Sequence, residues 1–382
     1  MRSYEQTHPW ISFRFDPRQL PWPVWIRLGE AAAICRQLRT AALPAKDGEL
    51  IGYIVLLHGV VANAALDGNT LSEDQVDRLL EGSLQLPPSQ LYMEREVRNL
   101  VKAVAWTEAR AKAADHDTGP WTLQVLNAQV MKELADEQGG APGQYRTVRD
   151  PNPSGGVAPE DIPTLIERLQ TWLQGPPFTP EHEEEKLPMA IISAAIIHLY
   201  LRWIAPFAAG NGRTARLVEF QLLLNAGIPA PAAHQMAAHA AATRTEYERQ
   251  VAHAARPGGD PVPFVAYMVN GFADALRSLA DEVNEAQYQH LAQEELRRLT
   301  LPDGSPAGER LMALATGIHA QPGKIATSRI PRLSAELALA YSRLNAKTLQ
   351  RDLAQLEHLG LVERSRGAVR AKAPGVRPFR TA

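Results

Sequence analysis

The sequence has almost no cysteine and no apolar run long enough to span a membrane. One cysteine, Cys35, occurs in 382 residues, which excludes an internal disulfide and a thiolate metal cluster. The longest apolar stretch, 187–201, is about 15 residues, short of the roughly 20 that a bilayer requires. The first residues do not resemble a secretory signal. We therefore expect a cytoplasmic protein with no membrane partner.

An excess of either charge is also lacking, since 40 Lys and Arg oppose 42 Asp and Glu. The distribution is uneven, because residues 301–382 contain 13 basic and 6 acidic side chains. With 45% hydrophobic residues, a chain of this length can bury a large core and form two or three domains. The sequence thus indicates an acidic body followed by a basic C-terminal module.

Apolar residues recur with a helical period through most of the chain, which predicts a mostly α-helical fold. Ser72 and Gln75 have the spacing of an N-terminal capping box. Segment 139–159 is rich in Gly and Pro around a β-prone QYRTV, and it predicts a loop or a small hairpin. The predicted helices cover residues 91–114, 121–137, 162–173, 188–203, 214–226, 245–254 and 263–291.

The tail has the order helix, turn, helix and hairpin, which is typical of a winged helix-turn-helix. The start of its second helix would reach base edges and phosphates, so it is the candidate DNA-binding surface. Winged helices also contact proteins, and Asp352 interrupts the basic run, so both partner classes stay open. The candidate DNA-binding residues are Lys347, Thr348, Gln350 and Arg351.

The stretch IAPFAAGNGRTARLVE, residues 204–219, has the features of an anion site. Gly210 and Gly212 lack Cβ, so the backbone around Asn211 can turn its N–H groups inward ahead of a helix. Arg213 and Arg216 lie three residues apart at that helix start, where their guanidinium groups can hold phosphate oxygens. Gly-Asn-Gly also forms ordinary turns, and the chain has no Gly-Lys-Ser/Thr of a Walker loop.

The same stretch resembles the signature of Fic (Fido) domain proteins, which reads His-Pro-Phe, two residues, Gly-Asn-Gly-Arg and a second Arg. The resemblance extends to THPWISF, LDGNTLSEDQV, PGQYR and HLYLRWI. These segments resemble one bacterial subgroup of the family. It implies a Fic-type helical bundle with a small β-hairpin flap, with an N-terminal region at 1–105, a core at 106–292 and a winged-helix-like domain at 300–375. The matching residues are Pro206, Phe207, Gly210, Asn211, Gly212, Arg213 and Arg216.

The resemblance implies adenylylation (AMPylation), the transfer of AMP from ATP to a hydroxyl of a protein target. The family's base is a histidine where this chain has Ala205, and its acidic Mg²⁺ ligand corresponds to Ala209. Alanine can neither accept a proton nor bind a metal. We therefore expect a pseudoenzyme that binds ATP or another phosphate ligand at residues 210–216, with weak or absent Mg²⁺. The flap would align the target through Gln144, Tyr145 and Arg146.

Three histidines are candidates for a substitute base: His198, His234 and His239. His198 precedes the loop by about two helical turns, and we interpret it as a core histidine.

Self-inhibition is a further implication, since many relatives carry Ser or Thr, three residues and Glu-Gly. Asn63 and Asp67 occupy these positions, so Asp67 would pair with Arg216. The alternative is that Asp67-Gly68 only ends a helix. These departures favour natural loss of the catalytic side chains over substitution by experiment.

Three functions remain open for the chain. The first is an adenylyltransferase that is silenced or uses a displaced base. The second is a non-catalytic sensor of a nucleotide, acting through the tail or a protein partner. The third is a DNA-binding regulator in which the body serves as a dimerisation scaffold.

Overall fold

A computed structural model describes residues 3–134, 141–149, 156–256, 259–300, 305–321 and 323–372. The protein is mostly α-helical with a small antiparallel sheet, as predicted. The helices are α1 (Ser3–Thr7), α2 (Trp22–Thr40), α3 (Ala45–Leu66), α4 (Glu73–Leu80), α5 (Leu91–Lys112), α6 (Pro120–Val130), α7 (Ile162–Leu173), α8 (Lys186–Ile204), α9 (Asn211–Asn225), α10 (Ala230–Ala233), α11 (Gln235–Ala242), α12 (Arg244–Ala254), α13 (Val262–Thr300), α14 (Pro306–His319), α15 (Ala335–Ser342) and α16 (Ala346–His358). The strands are β1 (Lys324–Ala326), β2 (Val362–Ser365) and β3 (Ala368–Ala371).

The chain divides into two compact units. The first contains residues 1–41 and 45–281, and the second contains residues 42–44 and 282–382. The division that the sequence analysis places at 105/106 lies inside α5 and within the first unit.

Helix α8 is the central helix of the first unit. Fifteen of its 19 residues are buried, and it packs against α2, α7 and α9. A helix that is apolar on every side is stable when other helices surround it. By length and composition alone, α3 and the helical stretch 183–204 are long and apolar enough to cross a membrane. The apolar window of the latter is 78% buried inside the protein, as expected of a core helix.

Local signals explain where the helices begin and end. The Ser72 hydroxyl accepts from the backbone of Gln75 and the Gln75 side chain accepts from Ser72 N, which confirms the predicted capping box. Helix α6 ends at Val130 rather than at residue 137, so the predicted 121–137 helix was too long. Helix α9 begins at Asn211, three residues before the predicted start, because Gly210 takes φ 74° and serves as its N-cap.

The predicted β-hairpin flap is only partly within the described residues. Segments 141–149 and 156–158 contain no strand, and residues 150–155 lie outside the described ranges. Arg146 N donates to Pro206 O at 2.9 Å, and Val157 N donates to Ile204 O at 3.4 Å. The two segments therefore pair with backbone carbonyls at the end of α8 and in the loop that follows it, and no strand pairing is present at these positions.

The second unit has the predicted order of helix, turn, helix and hairpin. Strands β2 and β3 pair antiparallel, and β3 also pairs with β1, giving the order β1-β3-β2. Leu314, Ile318 and Leu356 are fully buried in its core. The assignment of this unit to the winged-helix class stays a prediction.

Asp352 does not interrupt the basic surface of α16, in contrast to the sequence interpretation. Its side chain is buried, and it accepts from Arg310 Nε at 2.7 Å and from Tyr341 Oη at 2.9 Å. The carboxylate is therefore an internal link between α14, α15 and α16.

Candidate functional site

The loop between α8 and α9 is held by its own asparagine. Ala205 ends α8 in the left-handed conformation at φ 45°. The Asn211 side chain then accepts from Phe207 N at 2.9 Å and donates to Phe207 O at 2.8 Å. This closed loop fixes the backbone that leads into the first turn of α9.

A second asparagine, which the sequence analysis missed, braces the loop from α6. Asn127 Nδ2 donates to Ala209 O at 3.0 Å and lies 3.2 Å from Thr214 Oγ1. Its Oδ1 accepts from Gly143 N at 2.9 Å, and the residue is 1% exposed. The available signal was an amide in the apolar register of α6. Asn127 thus joins the loop, α9 and segment 141–149.

Asp67 pairs directly with Arg216. Arg216 Nη2 donates to Asp67 Oδ1 at 2.9 Å. Arg216 also donates from Nε to Asn63 Oδ1 at 2.8 Å and from Nη2 to Asn63 O at 2.9 Å. The expected pair is therefore present. Asp67-Gly68 also follows the end of a helix, because α3 ends at Leu66 and Gly68 has φ 99°, but ending the helix is not its only role.

The Asp67 carboxylate also binds the start of α9, which was not predicted. Arg213 N donates to Asp67 Oδ2 at 3.1 Å. A Cβ placed on Gly212 would lie 2.4 Å from Asp67 Oδ1, so only glycine permits this approach. Asp67 therefore occupies an anion position at the positive end of the helix.

Asp67 and Arg216 each favour the ionised form of the other. Burial by itself would raise the pKa of the Asp67 carboxyl, but the charge and hydrogen bond of Arg216, with Arg213 and Arg202, bring that pKa below its ordinary value. Burial by itself would lower the pKa of Arg216. The nearby Asp67 carboxylate has the larger effect, so the pKa of Arg216 is raised. Both groups are thus ionised at neutral pH.

Arg213 lies between two carboxylates. Its Nε is 3.3 Å from Asp67 Oδ2 and its Nη1 is 3.0 Å from Glu96 Oε1. Neither contact has hydrogen-bond geometry, and the side chain is 8% exposed. Glu96, another residue that the sequence analysis missed, also accepts from Asn69 Nδ2 at 2.9 Å. Arg213 thus keeps donors that a phosphate can use.

The predicted flap residues have different environments. Arg146 Nε donates to Ala205 O at 2.7 Å, and Nη2 donates to Val157 O. The Tyr145 ring lies 5.6 Å from the Phe207 ring, and burial raises the pKa of Tyr145 to about 12. Gln144 is exposed. Arg146 therefore supports the backbone at Ala205, and target alignment by Gln144, Tyr145 and Arg146 stays a prediction.

The three histidines that are candidates for a substitute base all pack against aromatic side chains. His198 is fully buried, with Nδ1 2.6 Å from Glu219 Oε2 and Nε2 2.8 Å from Tyr247 Oη, which confirms it as a core histidine. His234 stacks on Phe220, and burial lowers its pKa to about 4. His239 packs against Tyr267.

A pocket of about 620 Å³ opens at the loop. Within the described ranges, no group of three His, Cys, Asp or Glu side chains is placed to hold a metal ion. The residues that line this pocket include Asp67, Tyr92, Arg95, Glu96, Glu133, Arg202 and the loop residues Gly210, Asn211, Gly212 and Arg213.

A second pocket, of about 520 Å³, is lined mainly by apolar side chains of α6, α7, α8 and α9. None of the loop residues lines it, so the anion chemistry belongs to the first pocket.

The candidate DNA-binding residues lie on the first turns of α16. Lys347, Gln350 and Arg351 are exposed, and Thr348 is half-buried. Gln350 accepts from Arg364 Nη2 at 2.8 Å. Their role in DNA binding stays a prediction.

Part of the chain matches a known protein family. Residues 118–223 match the model of the Fic/DOC family, a range that includes Asn127, the loop and both arginines. Residues 118–223 of this chain are therefore a Fic/DOC-family domain. The match ends near the C-terminus of α9, so Asn63 and Asp67 lie outside the matched part of the Fic protein.

The Fic protein is similar to curated proteins from animals. It is 26% identical over 250 residues to protein adenylyltransferase fic-1 of Caenorhabditis elegans, covering 62% of this chain and 45% of that protein. It is 28% identical over 170 residues to protein adenylyltransferase Fic of Drosophila melanogaster, covering 44% of this chain and 32% of that protein. The alignments thus span less than half of these relatives.

Solved structures show the same fold. A Fic family protein from Desulfovibrio desulfuricans aligns with TM-score 0.54 and 21% identity, covering 95% of this chain and 100% of that one. Residues 134–508 of Fic-1 from C. elegans align with TM-score 0.53 and 21% identity, covering 68% of this chain and 73% of that one.

Proposed function

We propose that this Fic protein binds ATP at the loop between α8 and α9 and is impaired in AMP transfer. One observation carries the binding proposal: the Asp67 carboxylate is held by Arg213 N and Arg216 Nη2 at the start of α9. A position that binds one anion through an N–H group and a guanidinium group is suited to a phosphate oxygen. Similarity to proteins named adenylyltransferases supports ATP as the ligand.

The impairment follows from two methyl groups. Transfer of AMP to a hydroxyl requires a group that takes the hydroxyl proton, and general base catalysis typically contributes about 10²–10⁴-fold. Ala205, at the position of the family's base, cannot accept a proton, and His198 uses both ring nitrogens in the core. Ala209 adds no carboxylate. The bound nucleotide would therefore lack the partner group for transfer.

The residues at the loop fit the phosphates of ATP but do not fit Mg²⁺. Mg²⁺ binds through carboxylate oxygens and water. The described carboxylates of the pocket are engaged, because Asp67 and Glu96 pair with Arg213, and Glu133 lies 3.6 Å from Arg95 Nε. Hence we assign no step of the chemistry to a metal.

Isothermal titration calorimetry tests the binding proposal. We expect heat with ATP and ADP, and weaker heat with inorganic phosphate, because the nucleotide adds contacts in the pocket. The absence of heat with all three up to millimolar concentration would overturn it.

A second candidate function is regulation through DNA binding by α16. It is supported by the exposure of Lys347 and Arg351 on the first turns of α16. Replacing both by Glu should abolish a mobility shift of duplex DNA. The matched control replaces exposed Arg329 and Arg332 of the same unit by Glu. Equal loss in both variants, or no shift by the parent chain, would contradict DNA recognition by α16.

A further inference from the structure

Arg202 is a cation that lines the loop pocket and, unlike Arg95 and Arg213, has no acidic partner among the described residues. It lies near the end of α8, one turn before Ala205, and lines the pocket together with Gly210, Asn211 and Arg213. Within the part of the chain that the structure describes, its guanidinium forms neither a hydrogen bond nor an ion pair, and its Nε is buried. An unpaired buried donor of a charged group is costly unless a ligand satisfies it.

The other charges of the pocket are accounted for by their partners. Arg213 lies between Asp67 and Glu96, and Arg95 donates from Nη1 to Glu133 O at 2.8 Å in addition to its contact with the carboxylate. Arg202 is close enough to Asp67 to contribute to the low pKa of that carboxyl. The unpaired charge of the described pocket is therefore positive, and it points to an anionic ligand.

We infer that the pocket binds ATP as the free polyphosphate anion, with the Arg202 guanidinium taking the place of a divalent cation. This inference rests on the proposed ATP binding. A guanidinium group neutralises phosphate charge through directed hydrogen bonds and needs no carboxylate to hold it in place. Arg202 is a binding residue in this account and has no part in proton transfer.

Mg²⁺ opposes such binding for two electrostatic reasons. The complex of Mg²⁺ with ATP carries two fewer negative charges than free ATP, so its attraction to Arg202 and Arg213 is weaker. The metal itself would also lie near Arg202, and like charges repel strongly where burial lowers the dielectric screening. The described carboxylates that could hold Mg²⁺ already pair with arginines. ATP binding should therefore not require the metal.

The test measures the ATP dissociation constant of the full chain by calorimetry, in EDTA and in excess Mg²⁺. We expect binding in EDTA to be at least as tight as in Mg²⁺. In EDTA, Arg202→Leu should weaken it by about 10- to 100-fold, the range for charge-assisted hydrogen bonds. Arg202→Lys should retain most of the affinity because it keeps the charge. Arg249→Leu, at an exposed arginine of α12, is the matched control and should leave it unchanged.

The outcomes separate this inference from the proposed function. Binding that requires Mg²⁺ would overturn the role of Arg202 and leave the Fic protein an ATP-binding protein. An Arg202→Leu variant that binds ATP as tightly as the parent would also overturn the role of Arg202 and leave ATP binding in place. No binding in either condition would overturn both proposals.

Discussion

Replacing Asp67 by Asn should lower stability and raise ATP affinity, because one carboxylate both stabilises the fold and occupies the anion position. The substitution keeps the size of the side chain and removes its charge. It leaves Arg216, whose side chain is 1% exposed, with the two oxygens of Asn63 and the new amide oxygen as acceptors.

The magnitude follows from the contacts that the charge makes. Removing one partner of a buried ion pair costs about 3–5 kcal/mol. Because Asn63 and the amide oxygen still accept from Arg216, we expect a smaller loss of about 2–3 kcal/mol. For ATP, release of the Arg213 and Arg216 donors from a competing anion should tighten binding about tenfold.

The pH dependence gives an independent check. The pKa of Asp67 is lower in the folded state than its ordinary value of 3.8, so the carboxylate stabilises the folded state above that value. The stability difference between the parent chain and Asp67→Asn should be constant from neutral pH to about pH 4 and shrink below it, as the carboxyl protonates. Urea denaturation at several pH values measures it.

Asp74→Asn is the matched control, because Asp74 is 78% exposed and lies 3.8 Å from Arg78. We expect little change in its stability or ATP affinity. If the role of Asp67 were purely structural, the Asp67→Asn substitution would lower both stability and ATP affinity. A folded Asp67→Asn variant that binds ATP no better than the parent would therefore refute the competition between carboxylate and phosphate.

Three other predictions follow from the contacts. Arg213→Ala should weaken ATP binding by about 1.5–3 kcal/mol in calorimetry, and unchanged affinity would contradict its role. Ala205→His with Ala209→Asp should yield an AMP adduct by intact mass, since the loop is already braced, and adding Asp67→Gly should increase it; no adduct in either variant would show that other parts of the site have also lost alignment. Asp352→Ala should destabilise the C-terminal unit by about 3 kcal/mol in urea, because Arg310 and Tyr341 lose their buried acceptor, whereas exposed Glu336→Ala should have little effect.

Much of the fold could be predicted because helix signals are local. The helix at 162–173 and the hairpin around Arg366 and Gly367 follow from periodicity and turn residues, and both are present. The end of α6 and the backbone pairing of segments 141–149 and 156–158 could not be predicted, since they involve residues distant in sequence. Asn99 Nδ2 donates to Val130 O, and the carbonyls of Ile204 and Pro206 accept from the two segments.

Some residues of the site could likewise be predicted from the sequence, and others could not. The loop glycines, Arg213 and Arg216 are adjacent in sequence, and a resemblance identified Asp67. Glu96, Asn127 and Arg202 reach the site from other helices or from an unremarkable position in α8, and a sequence pattern gives no register between helices. Only the assembled fold brings these side chains to the loop.

We propose that the Fic protein binds ATP without transferring AMP. The direct measurement incubates the parent chain with ATP and Mg²⁺, with and without cell lysate, and follows bound ATP by equilibrium dialysis and AMP adducts by mass spectrometry. We expect bound ATP and no adduct above a heat-denatured control. An adduct that forms in the parent chain and disappears in Arg213→Ala would contradict it.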